Sequence, residues 1–327
     1  MDGDDTPSRL RGLDHSSPAT LPRVIMAAGP KAARRFIEFF TVNIRNPNTR
    51  MAYLRVVRKF DTWCHAHGLA LDCIEPVAVA AYIEELGRTY SKPTVKQSLA
   101  AIRTLFDWMV TGQIVETNPA HAVRGPKHVV RRGKTPVLDP EQARQLLDSV
   151  DTSTIVGLRD RAILATMCYT FARVGAVVSL RVEDYFQQGK RWWLRLHEKN
   201  SKTIEMPAHH NLEAYIDAYL EAAGIRDDRK GPLFRLLDAR AHKELTARPL
   251  TRLHVWQLVK RRAKAAGLPA EVCCHTFRAT GITTYLKNGG ILEKAQYMAG
   301  HESARTTGLY DRRDEEVSLD EVERIVI

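Results

Sequence analysis

Between Pro30 and Val123 the apolar residues recur at helical spacing, and no stretch alternates as a half-buried strand would. Asn48 is placed to cap a helix whose apolar face is Tyr53, Val56, Val57, Phe60, Trp63 and Cys64. Pro76 opens a second helix with Val79, Ile83 and Leu86 on one side. Pro93 opens a third with Leu99, Ile102, Leu105, Phe106 and Met109. Proline suits the first helical turn, where its missing N–H would have had no partner. Further on the pattern changes. Asp139 caps and Pro140 starts another helix, and the stretch RWWLRLHEKNSKTIEMP predicts two strands, 193–197 and 203–206, joined by a polar turn. Helices are expected at 212–223, 251–266 and 276–287. In the final VSLDEVERIVI, Ser318 and Glu321 fit a capping box and Val317 and Val322 a hydrophobic staple. The predicted fold class is mainly α with a small antiparallel β-sheet in the C-terminal part, an α+β arrangement.

The stretch VRGPKHVVRRGKTPVLDP interrupts these elements. It carries five Lys or Arg, two glycines and three prolines, with Asp139 its only acid, so it reads as a linker able to lie along a phosphate backbone. The expected organisation is a disordered tail at 1–29, a helical domain at 30–123, a basic linker at 124–138, a second domain at 139–313 and a terminal helix at 314–327. The 327 residues suit about two domains, and 44% hydrophobic content allows packed cores. A net charge of +11 points to an anionic partner, most commonly nucleic acid. The basic residues concentrate on faces poor in acids. The first domain carries Arg50, Arg55, Arg58, Lys59, Lys92, Lys96 and Arg103, and the 251–266 helix carries Lys260 and Arg261. Such a face can be a solvated surface or a phosphate contact. Five cysteines, an odd number without a CxxC, suggest a reducing cytosol. The early residues lack the apolar stretch of a signal peptide, and no run approaches the ~18 apolar residues of a membrane span.

One tyrosine stands in unusual company. Tyr310 follows His301 by nine residues and is flanked by Gly308, Asp311, Arg312 and Arg313, poor core material. It is an ordinary surface tyrosine, or its hydroxyl has chemistry to do. Metal-dependent nucleases need clustered carboxylates, and the second domain offers no convincing set. What recurs is cationic: Arg173 in FARVGAVVSL, Lys199 in the polar turn, His275 and Arg278 in HTFR, and His301. Three residues apart, His275 and Arg278 share a helix face. Guanidinium forks can bind the oxygens of a phosphodiester as charge builds on them. A tyrosine with a pKa near 10 attacks once a base takes its proton, and a lysine can protonate a leaving oxygen. Every part of a metal-free attack by tyrosine on a phosphodiester is present.

The ordered set resembles the tyrosine recombinase family, also called phage integrases. The matching features are Arg173 in ARVGAVVSL, Lys199 eight residues before Pro207, His275 and Arg278 in HTFR, His301 in AGH and Tyr310 in GLYD. NPNTRMAYLRVVRKFDTWC and TVKQSLAAIRTLFDWMV are similar to the family's SAM-like core-binding domain, so the resemblance spans about Pro30 to Ile327. With no arm-binding domain visible before Pro30, the chain is similar to two-domain members such as Xer and integron integrases. Two features depart from the pattern. Ala176 stands where the family often has an acid three positions after the first arginine, which puts the orientation of Arg173 in question, and Lys202 rivals Lys199 in the same turn.

The resemblance implies a site-specific recombinase that needs neither cofactor nor metal. Its fold would be a C-shaped clamp on double-stranded DNA carrying inverted-repeat core sites, with contacts from Arg50, Arg55, Lys92, Lys96, Arg131, Arg132, Lys134, Lys260 and Arg261. Arg173, Arg278 and His301 would bind the scissile phosphate, His275 would assist proton removal from the nucleophile Tyr310, and Lys199 would be the general acid. The product is a 3′-phosphotyrosyl bond, and strand exchange passes through a Holliday junction in a homotetramer linked by the C-terminal helix. A second recombinase or a DNA-bending factor would be a possible partner. Three rival readings remain: a type IB topoisomerase or telomere resolvase with the same chemistry, a non-catalytic DNA-binding relative, and a zinc site in CHAHGLALDC, where Cys64 is already claimed by an apolar helix face.

Overall fold

The computed structural model describes residues 21–130, 133–198, 202–238, 244–311 and 322–325. The chain divides into two compact units that meet at residues 129 and 130.

The first unit is helical: α1 (Arg23–Ala27), α2 (Pro30–Glu38), a π-helical continuation (Phe39–Asn43), α3 (Pro47–Ala66), α4 (Pro76–Thr89) and α5 (Lys92–Thr111). Its core joins Phe36 and Phe39 to Val57 and Phe60 of α3, Val79 and Ile83 of α4, and Leu99, Ile102, Phe106 and Met109 of α5. Each fully buried side chain of this kind contributes roughly 1.5–3 kcal/mol. The apolar stripes predicted from spacing are therefore the faces that pack. Two expectations are corrected. Asn46, not Asn48, caps α3: Pro47 takes the first turn, and the Asn46 side chain accepts from the N–H groups of Asn48 and Thr49. The tail expected at 1–29 reaches too far, because Arg23–Ala27 is helical with Val24 and Ile25 buried. Asp61 of α3 supports this helix by accepting from the N–H groups of Arg23 and Val24, an anchor 38 and 37 residues away that local patterning cannot reveal.

The second unit begins with the end of the linker. Residues 124–130 and 133–138 form neither helix nor strand, but Leu138 is buried and its N–H donates to Thr280. There follow α6 (Pro140–Asp148), α7 (Ile155–Tyr169), α8 (Val174–Ser179), β1 (Tyr185–Gln188), β2 (Arg191–His197), β3 (Thr203–Pro207), α9 (His210–Ala223), β4 (Arg235–Leu237), β5 (Leu245–Pro249), α10 (Arg252–Ala265), α11 (Cys274–Lys287), α12 (Leu292–Met298) and α13 (Ala304–Gly308). Asp139 caps α6 through a capping box with Gln142. The antiparallel sheet runs β1-β2-β3, with Leu194 opposite both Tyr185 and Met206, and β4 pairs with β5. The β1 strand and the β4–β5 pair are additions to the elements expected from the sequence.

Two internal constraints set α11 and α10. In α11 the run from Thr276 to Thr283 is buried throughout. A Cβ on Gly281 would stand 2.2 Å from the Cys168 carbonyl oxygen and 2.6 Å from the Phe171 ring, so glycine lets α11 lie against the end of α7. In α10 the charge expected to be free is partly spent. Fully buried Asp160 of α7 accepts from Arg159, Arg261 and Arg262, a cluster whose ions must all be present to offset their desolvation. Ser318, Glu321 and most of the terminal helix lie outside the described residues.

Gly281→Ala should therefore destabilise the second unit. Forcing a methyl group into this contact costs about 1–3 kcal/mol, and a lowered thermal midpoint in calorimetry of the intact chain is the expected result. An unchanged midpoint would show that α7 and α11 can move apart at no cost.

Candidate functional site

α8 starts the site. Arg173 is its N-cap, and the side chain reaches over to Glu198 just beyond β2: Nη1 donates to Oε2 at 2.5 Å, while the Arg173 N–H donates to Oε1 at 3.3 Å. The turn after α12 closes over this pair. Gly300 has φ +56°, and a Cβ there would lie 2.9 Å from Ile204 and 3.8 Å from Arg173 Nη1, so only glycine suits both the backbone and the space.

α11 brings the second arginine. Arg278 is 1% exposed, and its Nη1 and Nη2 donate to the carbonyls of Phe171 and Ala299. Phe171 holds φ +56°, a left-handed backbone that costs a side-chain-bearing residue on the order of 1 kcal/mol and that turns its carbonyl to Arg278. The Nε of Arg278 is buried with no hydrogen-bond partner among the described residues. A buried guanidinium with an unused donor is a receptor for an anion. Burial, reinforced by the nearby positive charge of Arg173, lowers the Arg278 pKa to about 10, so it remains cationic at neutral pH.

His275 stands one turn before Arg278 on the same helix, and its Nε2 lies 2.6 Å from the Tyr310 hydroxyl. The residue is exposed, yet Arg278 and Arg173 act on its charge. Partial desolvation, then the charges of Arg278 and Arg173, lower its pKa. A neutral ring can accept the hydroxyl proton at Nε2. His301 is buried, hydrogen-bonded through Nδ1 to Thr307 at 2.9 Å, and its ring stacks on Tyr310 at 5.8 Å between centroids. Desolvation, then Arg278, Arg173, His275 and Lys202, push its pKa down to about 3, so it carries no charge at neutral pH.

Tyr310 is not a surface tyrosine. It is 8% exposed and packs with Phe171, Ala279, Ile282, Leu286, Ala295 and Ala299, while its carbonyl accepts from Thr283. Its chain neighbours are polar; its neighbours in space are apolar. Desolvation raises its pKa, and the charges of Arg278 and Arg173 oppose that rise.

Five of the six predicted residues, Arg173, His275, Arg278, His301 and Tyr310, are thus brought together in the second unit. Lys199 lies outside the described residues; Lys202, its rival, is described and exposed, and its carbonyl accepts from Glu198 N–H to close the hairpin. A cavity of about 1170 Å³ lined by Tyr169, His209, Tyr285 and Met298 lies elsewhere in the unit and holds none of the five. Glu198 was missed. Strand alternation offered the signal: Leu194, Leu196 and Glu198 share the buried face of β2 and its continuation.

Of the predicted DNA contacts, Arg55, Lys92, Lys96 and Lys134 are exposed. Arg131 and Arg132 lie outside the described residues. Others are partly committed to the fold: Arg50 donates to the Ile44 carbonyl, Lys260 to the Ala270 carbonyl and Arg261 to Asp160. Cys64, the proposed zinc ligand, is a core residue, and His67 Nδ1 bonds the Trp63 carbonyl.

Comparison with known proteins bears on the same regions. The phage integrase family model matches residues 136–316, and the phage integrase N-terminal SAM-like domain matches residues 34–113. The tyrosine recombinase XerD of Chlorobaculum tepidum is 28% identical over 296 residues, covering 87% of this chain and 92% of that protein. The tyrosine recombinase XerD of Ralstonia nicotianae is 28% identical over 305 residues, covering 91% and 94%. Among solved structures, the XerH site-specific recombinase bound to a palindromic difH substrate is similar at a TM-score of 0.67 and 18% identity, covering 90% of this chain and 87% of that one, which is a likeness of fold. With a catalytic-domain match over more than half its length and a SAM-like domain before it, this chain belongs to the phage integrase family, the tyrosine recombinases.

Proposed function

We propose that the five converged residues are the active site for breaking and rejoining DNA, with Tyr310 as nucleophile. The observation that carries this reading is the 2.6 Å contact between Tyr310 Oη and His275 Nε2 beside a buried arginine whose Nε is unpartnered. His275 Nε2 takes the hydroxyl proton. The phenolate attacks the scissile phosphorus, the bond to the 5′-oxygen breaks, and that oxygen leaves protonated. Lys199, eight residues before Pro207, is the proposed donor of that proton, a role supported by its spacing. Arg173 and Arg278 neutralise the charge that grows on the non-bridging oxygens, and neutral His301 donates a further hydrogen bond. Attack by an incoming 5′-hydroxyl reverses the step, so the 3′-phosphotyrosyl bond conserves the energy of the one it replaces.

The finer parts of the reading concern the substrate and the assembly. Exposed Arg55, Lys92, Lys96 and Lys134 support contact with duplex phosphates. A lambda integrase tetramer bound to a Holliday junction shares the fold at a TM-score of 0.66 and 18% identity. We carry over from it the proposal of a tetramer exchanging strands between core sites. Val322 and Ile325, apolar and exposed, support a terminal segment that docks on a neighbouring protomer.

The direct test uses nicked duplexes with randomised cores, denatured in detergent after incubation and sequenced from the protein-linked fraction. The wild-type chain should retain a defined set of sequences covalently, and Tyr310→Phe should retain none while still binding duplex DNA. Retention by the phenylalanine variant would remove Tyr310 as nucleophile. The second-order cleavage rate, which reports the free enzyme, should also be level from about pH 8 down to the ordinary histidine pKa of 6.5 and fall only below it. The sign follows from a base that must be unprotonated and whose pKa is lowered; a rate that climbs toward acid pH would rule His275 out. Finally, replacing Lys92 and Lys96 by alanine should weaken binding to all duplexes and reduce the slope of log affinity against log salt by about 2. An unchanged slope would take these two lysines off the phosphate path.

A further inference from the structure

We propose that Glu198 is the positioning residue for Arg173: one buried carboxylate fixes both the backbone and the guanidinium of that arginine. The inference rests on the reading of Arg173 as a phosphate-binding residue and goes beyond it by assigning what holds the arginine.

The local problem is an uncapped helix. Arg173 is the N-cap of α8, a position normally given to Ser, Thr, Asp or Asn, and its own side chain accepts nothing from the helix. In a capping box the residue at N3 would reach back to the N-cap N–H with a carboxylate or amide. Here N3 is Ala176, which has only a methyl group. Glu198, just beyond β2, supplies the missing acceptor. Its Oε1 accepts from the Arg173 N–H at 3.3 Å, the bond an N3 acid would have made. Its Oε2 accepts from Nη1 at 2.5 Å.

The pair is built to be directional. The Glu198 side chain is 2% exposed and that of Arg173 is 37% exposed, so the acid sits behind the arginine and leaves the outer part of the guanidinium to the site. Gly300 seals the inner side, where a Cβ would lie 3.5 Å from Glu198 Cγ. The hairpin holds the acid in place, since Glu198 N–H donates to the Lys202 carbonyl at 2.7 Å. A long side chain tied at both ends has one arrangement where a free one has many. For a group that must meet a developing charge, a displacement of about 1 Å costs on the order of 100-fold in rate.

The clamp can be moved. Glu198→Ala should leave the chain folded and bound to DNA but cleave about 100-fold more slowly from the preformed complex. Glu198→Gln, which keeps the shape and loses the charge, should lose about tenfold. Adding Ala176→Glu to Glu198→Ala puts the carboxylate back at N3 and should recover at least about tenfold of the loss. A residue needed only for stability would not be rescued from a different element. Cleavage by Glu198→Ala within about threefold of wild type, or a double variant no faster than Glu198→Ala, would overturn the assignment. A second measurement needs no DNA cleavage: phenylglyoxal modification of Arg173, read by peptide mass spectrometry on the DNA-free chain. It should rise about tenfold in Glu198→Ala, the size of one lost charge-assisted hydrogen bond, and fall back in the double variant. If the wild-type chain forms no adduct, the function assigned to Tyr310 fails, while the modification still decides the clamp: equal reactivity in wild type and Glu198→Ala would end it.

Discussion

Burying Arg278 imposes conditions on everything around it. A guanidinium at 1% exposure has lost its water, and this one recovers hydrogen bonds from the carbonyls of Phe171 and Ala299. Those two acceptors lie at the end of α7 and the end of α12, so one side chain ties three helices together. The ties have structural costs elsewhere. Phe171 takes a left-handed backbone, and residue 281 must be glycine for α11 to come close enough. The third nitrogen, Nε, has no hydrogen-bond partner among the described residues. A buried guanidinium with an unpartnered donor is suited to an anion.

That receptor sets the electrostatics of its neighbours. Desolvation first, and then the two guanidinium charges, lower the pKa of both His275 and His301. Neutral rings suit the chemistry proposed above, in which one accepts a proton and one donates a hydrogen bond. For Tyr310 the two influences oppose each other. Burial resists the phenolate and the arginines favour it, so the ionised form gains most when the hydroxyl proton has somewhere to go. His275 Nε2 is in contact with that hydroxyl and is the proposed acceptor of its proton.

Glu198 is the acid among these cations and binds the more exposed of the two arginines. Arg278 is held by backbone carbonyls because it is deep, whereas Arg173 lies at the end of a short helix with solvent on one side and needs a charged partner to keep one position. The same pocket thus fixes two identical side chains by different means, and the depth of each explains which means it uses.

The helices of the first unit were legible from spacing, because an amphipathic helix of twenty residues buries a stripe that its own sequence writes out; Leu99, Ile102, Phe106 and Met109 are core for that reason. Motif order likewise picked out Arg173, His275, Arg278, His301 and Tyr310, which the fold brings together. Other features depend on segments distant in the chain meeting in space. Asp61 anchors a helix that begins 38 residues earlier, Asp160 accepts from α10 arginines 101 and 102 residues later, Tyr310 finds an apolar seat that its polar flanks hide, and Glu198 holds the start of a helix 25 residues earlier. Local patterning records what a residue does for its own element. Which element lies opposite is decided by packing, and in this chain packing determines how the arginines are held.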